Sequence, residues 1–142
     1  MRAFLIAAAA MATCITSASA QSRDAFEGTW AFQTSSYGTE QVGAIMSGAA
    51  VISRARGGRY TIRLISNERL VNRETGESAF LTARQACTGE NSDGQFTISC
   101  QMAEPLEGYE ADNFVLQQGE TDQLVGVLSS NTSSQVTFSR LR

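Results

Sequence analysis

The sequence contains no histidine and no lysine. Without histidine there is no Ser–His or Cys–His nucleophile pair and no imidazole-ligated zinc, and the commonest general base at neutral pH is missing. Every cation is an arginine, a pattern that hints at a GC-rich bacterial genome. Proline and tryptophan occur once each, and charged residues make up only 18% of the chain, too little charge for disorder. No apolar run reaches the roughly 20 residues a membrane-spanning helix needs. What is present is 42% apolar residues, enough for a packed core. The composition favours a binding or structural domain over an enzyme, and no cofactor motif is visible.

The amino end has the parts of an export signal in order. Arg2 supplies the positive charge, Phe4 to Ala12 the short apolar run, and Ala18-Ser19-Ala20 a small-x-small cleavage site before Gln21. The expectation is a signal peptide over residues 1–20 and one domain over 21–142, in a bacterial periplasm or secreted. A lipid anchor on Cys14 is the less favoured reading, because Thr13 is larger and more polar than the residue usual before a lipidated cysteine. Removing the signal leaves ten arginines against fourteen carboxylates, and two cysteines, Cys87 and Cys100. An even pair in an exported domain reads as a disulfide.

Hydrophobic periodicity along the rest of the chain is two. Tyr60, Ile62 and Leu64 alternate with Thr61 and Arg63; Phe96, Ile98, Cys100 and Met102 alternate with Thr97, Ser99 and Gln101. Eight strands are expected, near 27–34, 48–56, 59–67, 78–88, 95–102, 112–118, 123–129 and 134–141, with residues 36–47 left as a loop or one short helix. Gly57-Gly58 as a two-residue turn would pair Ser53 with Ile62 and Val51 with Leu64. Asp93-Gly94 is a favoured type I′ turn, and counting outward from it sets Cys87 opposite Cys100 in a non-hydrogen-bonded pair. Such pairs bring Cα atoms to about 4.5 Å, within the roughly 4.4–6.8 Å a disulfide accepts. Turn, register and bond agree, and the bond faces inward with Phe96 and Ile98.

Charge is unevenly placed. Residues 54–73 carry six arginines against Glu68 alone, whereas residues 90–122 carry eight acids and no arginine. Oppositely charged strands on one barrel surface account for this more simply than two partner patches, and the negative net charge argues against nucleic acid. Glu104 to Asp112 offers four carboxylates, but their spacing matches no EF-hand, so a solvated acidic loop and no metal are expected there.

Gly28-Thr29-Trp30 opens the first strand, and Phe138-Ser139-Arg140-Leu141-Arg142 ends the chain. This pairing of G-x-W with a terminal arginine, together with eight sequential strands, resembles the calycins, the lipocalin and avidin group. The resemblance implies an all-β, eight-stranded antiparallel up-and-down barrel whose arginine packs across the tryptophan and closes one end. Arg140 shares phase with Val136 and Phe138, which makes it the better candidate than Arg142. Avidin-type sites hold biotin among several tryptophans, whereas Trp30 stands alone, so biotin is not the expected ligand. Small periplasmic inhibitors of metalloproteases are a further similar group, although only Gln21 to Phe26 precede the first strand here. A barrel of this size is filled or holds one small ligand. The phases point Ser53, Tyr60 and Gln85 inward as polar groups of a pocket. The expected function is binding of a small apolar or amphipathic molecule; the alternative is an interaction module for an envelope protein, such as a protease inhibitor.

Overall fold

Alternating apolar and polar residues place one face of every strand in a shared interior, and short strands with such a face are stable only when the sheet is packed or closed. In the computed structural model, which describes residues 23–142, the sheet closes on itself. The strands are β1 (Gly28–Thr34), the two-residue β2 (Tyr37–Gly38), β3 (Val42–Arg54), β4 (Arg59–Asn72), β5 (Ser78–Ser92), β6 (Gln95–Met102), β7 (Asn113–Gln118), β8 (Gln123–Ser129) and β9 (Ser133–Arg140). All ladders are antiparallel, and β1 pairs with both β3 and β9. The result is an eight-stranded up-and-down barrel, with β2 as a short addition to the edge of β3. The export signal and Cys14 lie outside the described residues.

Following the ladders once round the barrel advances the chain by about ten residues along β1, toward its carboxyl end. The strands are therefore tilted, and residues in one ladder row climb from one end of the barrel to the other. The first end collects the start of β1, the end of β9 and the turns 55–58, 92–94 and 119–122. The second collects β2, the turn 72–78 and the ten-residue loop 103–112. Strands β3, β4 and β5 have 13, 14 and 15 residues, about twice the others, so they overhang the second end as a three-stranded wall.

Two hairpins show how turn chemistry sets register. Asp93 and Gly94 both adopt positive φ, as a type I′ turn requires. Ser92 then pairs with Gln95 and Cys87 with Cys100, whose Cα atoms are 4.0 Å apart and whose sulfurs are bonded. Cys87 belongs to the core and Cys100 is half-buried against it. The other hairpin differs from the sequence expectation by one residue. Arg56-Gly57-Gly58 forms a three-residue turn, closed by the Ala55 N–H donating to the Arg59 carbonyl at 2.8 Å. Ile52 therefore pairs with Ile62, and Ala50 with Leu64. A slip of one residue reverses which side chains face the core, so Ser53 is exposed and Ile52, 1% exposed, is inside. Residues 42–47, within the segment expected to be loop or helix, belong to β3.

The middle of the barrel is filled. Phe32, Phe114 and Phe138 pack with ring centroids 4.9–5.6 Å apart, and Phe114 and Phe138 are fully buried. Each such ring contributes about 1.5–3 kcal/mol by leaving water. A ligand site in the barrel's interior must therefore lie at an end.

Candidate functional site

At the first end the chain's own amino-terminal segment plugs the barrel interior, and an open recess of about 390 Å³ lies outside the plug, bordered by Asp24, Trp30, Asp122 and Arg140. Phe26 stacks on Phe96 at 4.3 Å and meets Tyr60 edge-on at 5.8 Å. Trp30 lies beneath, its indole N–H donating to the Phe26 carbonyl at 2.8 Å. Arg140 pairs with Trp30 across the β1–β9 ladder and sets its guanidinium 4.2 Å from the ring centroid. That guanidinium also donates to Asp122 at 3.1 Å and to the carbonyls of Asp24, Ala25 and Glu27. Its side chain is 4% exposed, whereas that of Arg142 is 84% exposed. Of the two terminal arginines, Arg140 is the one that lies over Trp30.

Asp24 completes this end. Its carboxylate accepts from the backbone N–H groups of Phe26 and Glu27, the Tyr60 hydroxyl and the Arg54 guanidinium, all within 2.8–3.2 Å. Burial raises its pKa, but two peptide donors, the phenol and the cation together bring it below the ordinary carboxylate value. Burial and Asp24 push the Tyr60 phenol upward. Tyr60 thus serves the seal.

The second end is built differently. Above the phenylalanines lies a polar layer made by Ser66 on β4, Gln85 on β5 and Asp112 just before β7, each no more than 2% exposed. Three groups donate to Asp112 Oδ2: the Gln85 amide at 2.6 Å, the Tyr109 hydroxyl at 2.9 Å and the Ser66 hydroxyl at 3.2 Å. Gln85 Oε1 accepts the Asp112 backbone N–H at 2.7 Å, which ties loop 103–112 to the barrel wall. All the donors to the carboxylate are neutral. Burial dominates, and the Asp112 carboxyl is held above its ordinary pKa despite three hydrogen bonds. Burial likewise raises the Tyr109 and Tyr37 phenols, the latter also through its hydrogen bond to Glu68.

Over this layer opens a cleft of about 240 Å³, lined by Glu68, Asp112, Tyr109 and Glu110 on its polar side and by Met46, Leu70 and Leu81 on its apolar side. Leu70 also lines a trough of about 610 Å³ that runs along the overhanging wall past Val42 and Ala79. That residue borders both cleft and trough. Polar groups at the bottom of an apolar recess can hold the head of a small molecule and leave its body on the wall.

The structure therefore separates the three pocket residues expected from sequence. Gln85 stands in the second-end layer, Tyr60 is at the sealed end, and Ser53 is exposed because of the hairpin slip. Four residues on β5 separate Gln85 from Gly89, the partner of Tyr60, about 13 Å of strand. Sequence reasoning missed Asp112, Ser66 and Tyr109. The signal for two of them was present: Asp112 shares phase with Phe114 and Leu116, and Ser66 with Ile62 and Leu64. The stretch 104–112 is not wholly a solvated acidic loop, since Asp112 is 1% exposed. Among the described residues no group of three metal-ligating side chains is found, and no helix is long and apolar enough to cross a membrane. Compared with protein-family models, with curated proteins and with solved structures, the chain matches none of them.

Proposed function

We propose that the protein is an exported calycin-like barrel that binds one small amphipathic molecule at its second end, and that it does so without catalysing a reaction. The observation that carries this reading is the asymmetry of the two ends. At the first, a recess of about 390 Å³ lies outside the plug of Phe26, Trp30 and Arg140, and its charged groups Asp24, Asp122 and Arg140 are already paired; the other presents a polar layer without a cation beneath a partly apolar cleft of about 240 Å³. The arginine stacked on the tryptophan of the G-x-W segment supports the calycin reading, as does the up-and-down order of the strands. The arrangement of Ser66, Gln85 and Asp112 suits recognition: their polar atoms are tied to one another and hold a fixed geometry against which a ligand head can dock.

Native mass spectrometry of the protein isolated from its own host tests this. A bound species of small mass, lost when Leu70→Arg and Leu81→Arg place charges in the cleft, is the expected result. A co-purifying protein with no small-molecule adduct would overturn it in favour of an envelope interaction module.

A further inference from the structure

The chemical class of the ligand can be read from the charges around the cleft. Glu68, Glu110 and Asp112 line it, and among the described residues no arginine does. The neighbouring arginines are engaged or turned elsewhere. Arg73 donates to the Thr39 carbonyl at 3.1 Å, Arg84 faces Glu104 at 3.5 Å, and Arg69 lies on the outer face in the row of Ile45 and Phe80. The chain has no lysine or histidine to supply another cation. An acidic recess with no counterion is unusual in a chain rich in arginine, and at the other end of the same barrel Asp24 is served by Arg54 at 3.0 Å.

The second observation is the condition of Asp112 itself. All three of its side-chain hydrogen bonds fall on Oδ2, and among the described residues no donor reaches Oδ1. No fully buried side-chain nitrogen or oxygen lacks a partner. Oδ1 therefore keeps a trace of solvent access, and the recess that Asp112 lines is the cleft. A nearly buried carboxylate thus offers one oxygen, without a donor, to whatever enters. Beyond it the trough along Val42, Leu70 and Ala79 offers apolar contact for a ligand's hydrocarbon, with Asn72, Glu77 and Ser78 completing its lining.

We infer that the cleft takes a cationic amphiphile, a molecule whose protonated nitrogen sits against Asp112 and Glu68 while its hydrocarbon portion lies along the overhanging strands. This rests on the proposed ligand-binding function and narrows it. A neutral amphiphile can donate a hydrogen bond to Oδ1 but leaves the charge of the three acids unbalanced, and a carboxylate or sulfate adds like charge to them in a medium where such charges are poorly screened. Protonation of Asp112 should weaken binding in acid. The groups facing it are Ser66, Gln85, the carboxylates Glu68 and Glu110, and the phenols Tyr37 and Tyr109, which stay protonated over the same range.

The test is isothermal titration calorimetry with three probes sharing one alkyl chain, each below its aggregation concentration at pH 7.5: decylamine, decanol and decanoate. Decylamine is expected to bind at least about tenfold more tightly than either of the others. Asp112→Asn and Glu68→Gln should each remove most of that preference, read as the ratio of decylamine to decanol affinity in the same variant. Glu104→Gln, on an exposed residue outside the cleft, should leave the preference intact. Equal binding of all three probes, or a preference for decanoate, would overturn the cationic assignment and leave the binding function standing. No binding of any probe would overturn both. Circular dichroism melts of each variant confirm the fold, and because two separate carboxylates are replaced, the result does not hang on one variant.

Discussion

The two ends of the barrel each hold an aspartate surrounded by hydrogen-bond donors, and the two behave oppositely. Asp24 has a lowered pKa and Asp112 a raised one. The number of donors does not explain this, since both accept several. Asp24 has two backbone N–H groups and a guanidinium, and sits at the margin of solvent with its side chain 13% exposed. Asp112 has an amide and two hydroxyls and is almost wholly enclosed. Neutral donors do not offset the cost of burying a charge; a cation and aligned peptide dipoles do. The sealed end is thus a structure with its charges balanced, whereas the mouth holds a carboxylate at some expense to stability, as binding sites tend to do.

The largest test of this contrast is the removal of Arg140. Arg140→Ala leaves Asp122 and three carbonyls without their donor and uncovers Trp30. A loss of about 3–5 kcal/mol in urea unfolding is expected, against less than about 0.5 kcal/mol for Arg142→Ala. Next comes the disulfide, which belongs to neither end. Replacing both Cys87 and Cys100 with serine should lower stability by about 2–4 kcal/mol, while decylamine affinity measured well below the melting temperature is retained. Thiol titration with and without denaturant should find no free Cys87 or Cys100.

Smaller, and opposite in sign at the two ends, are the aspartate substitutions. A carboxylate with a lowered folded pKa contributes stability above its ordinary value near 3.8 and loses it as the pH falls through the folded value. Asp24→Asn should therefore cost about 1–2 kcal/mol at pH 7, with the deficit shrinking in acid. Asp112 is the reverse. Its contribution is most favourable below the ordinary value and declines as the pH rises from there through the raised folded pKa. Asp112→Asn keeps an acceptor for Ser66, Gln85 and Tyr109, so at pH 7 it should be as stable as the parent or more so. Unfolding measured from pH 3 to pH 8 should show the parent losing ground to the variant as the pH climbs.

At the first end Trp30 and Arg140 were legible in sequence, but Tyr60 was expected in a pocket and Asp24 and Phe26 were given no role; at the mouth only Gln85 was named. Trp30 and Arg140 lie on strands whose phase is unambiguous, and Asp93-Gly94 dictates a register that places Cys87 opposite Cys100. The other hairpin misled because Ala49, Ala50, Val51 and Ile52 are apolar in both phases, so a two-residue and a three-residue turn fit equally well. Only the closed barrel, which must bury Ile52 against Ile62, decides between them. Asp112 was obscure for another reason. Its burial depends on Ser66 and Gln85, 46 and 27 residues away, which long-range pairing of β4 with β5 brings together. A run of acids in sequence has the look of a solvated loop, and its phase with Phe114 was the only local clue.

Asp112 is proposed as a carboxylate with neutral donors only, which a cationic ligand completes, whereas Asp24 already has its cation in Arg54. Carboxyl-carbon NMR titration of both residues, with and without saturating decylamine, measures this directly. In the free protein Asp112 should titrate above the ordinary aspartate value and Asp24 below it. Decylamine should lower the midpoint of Asp112 and leave that of Asp24 where it was. An Asp112 that titrates at or below the ordinary value in the free protein, or a midpoint unmoved when decylamine is bound, would contradict the account.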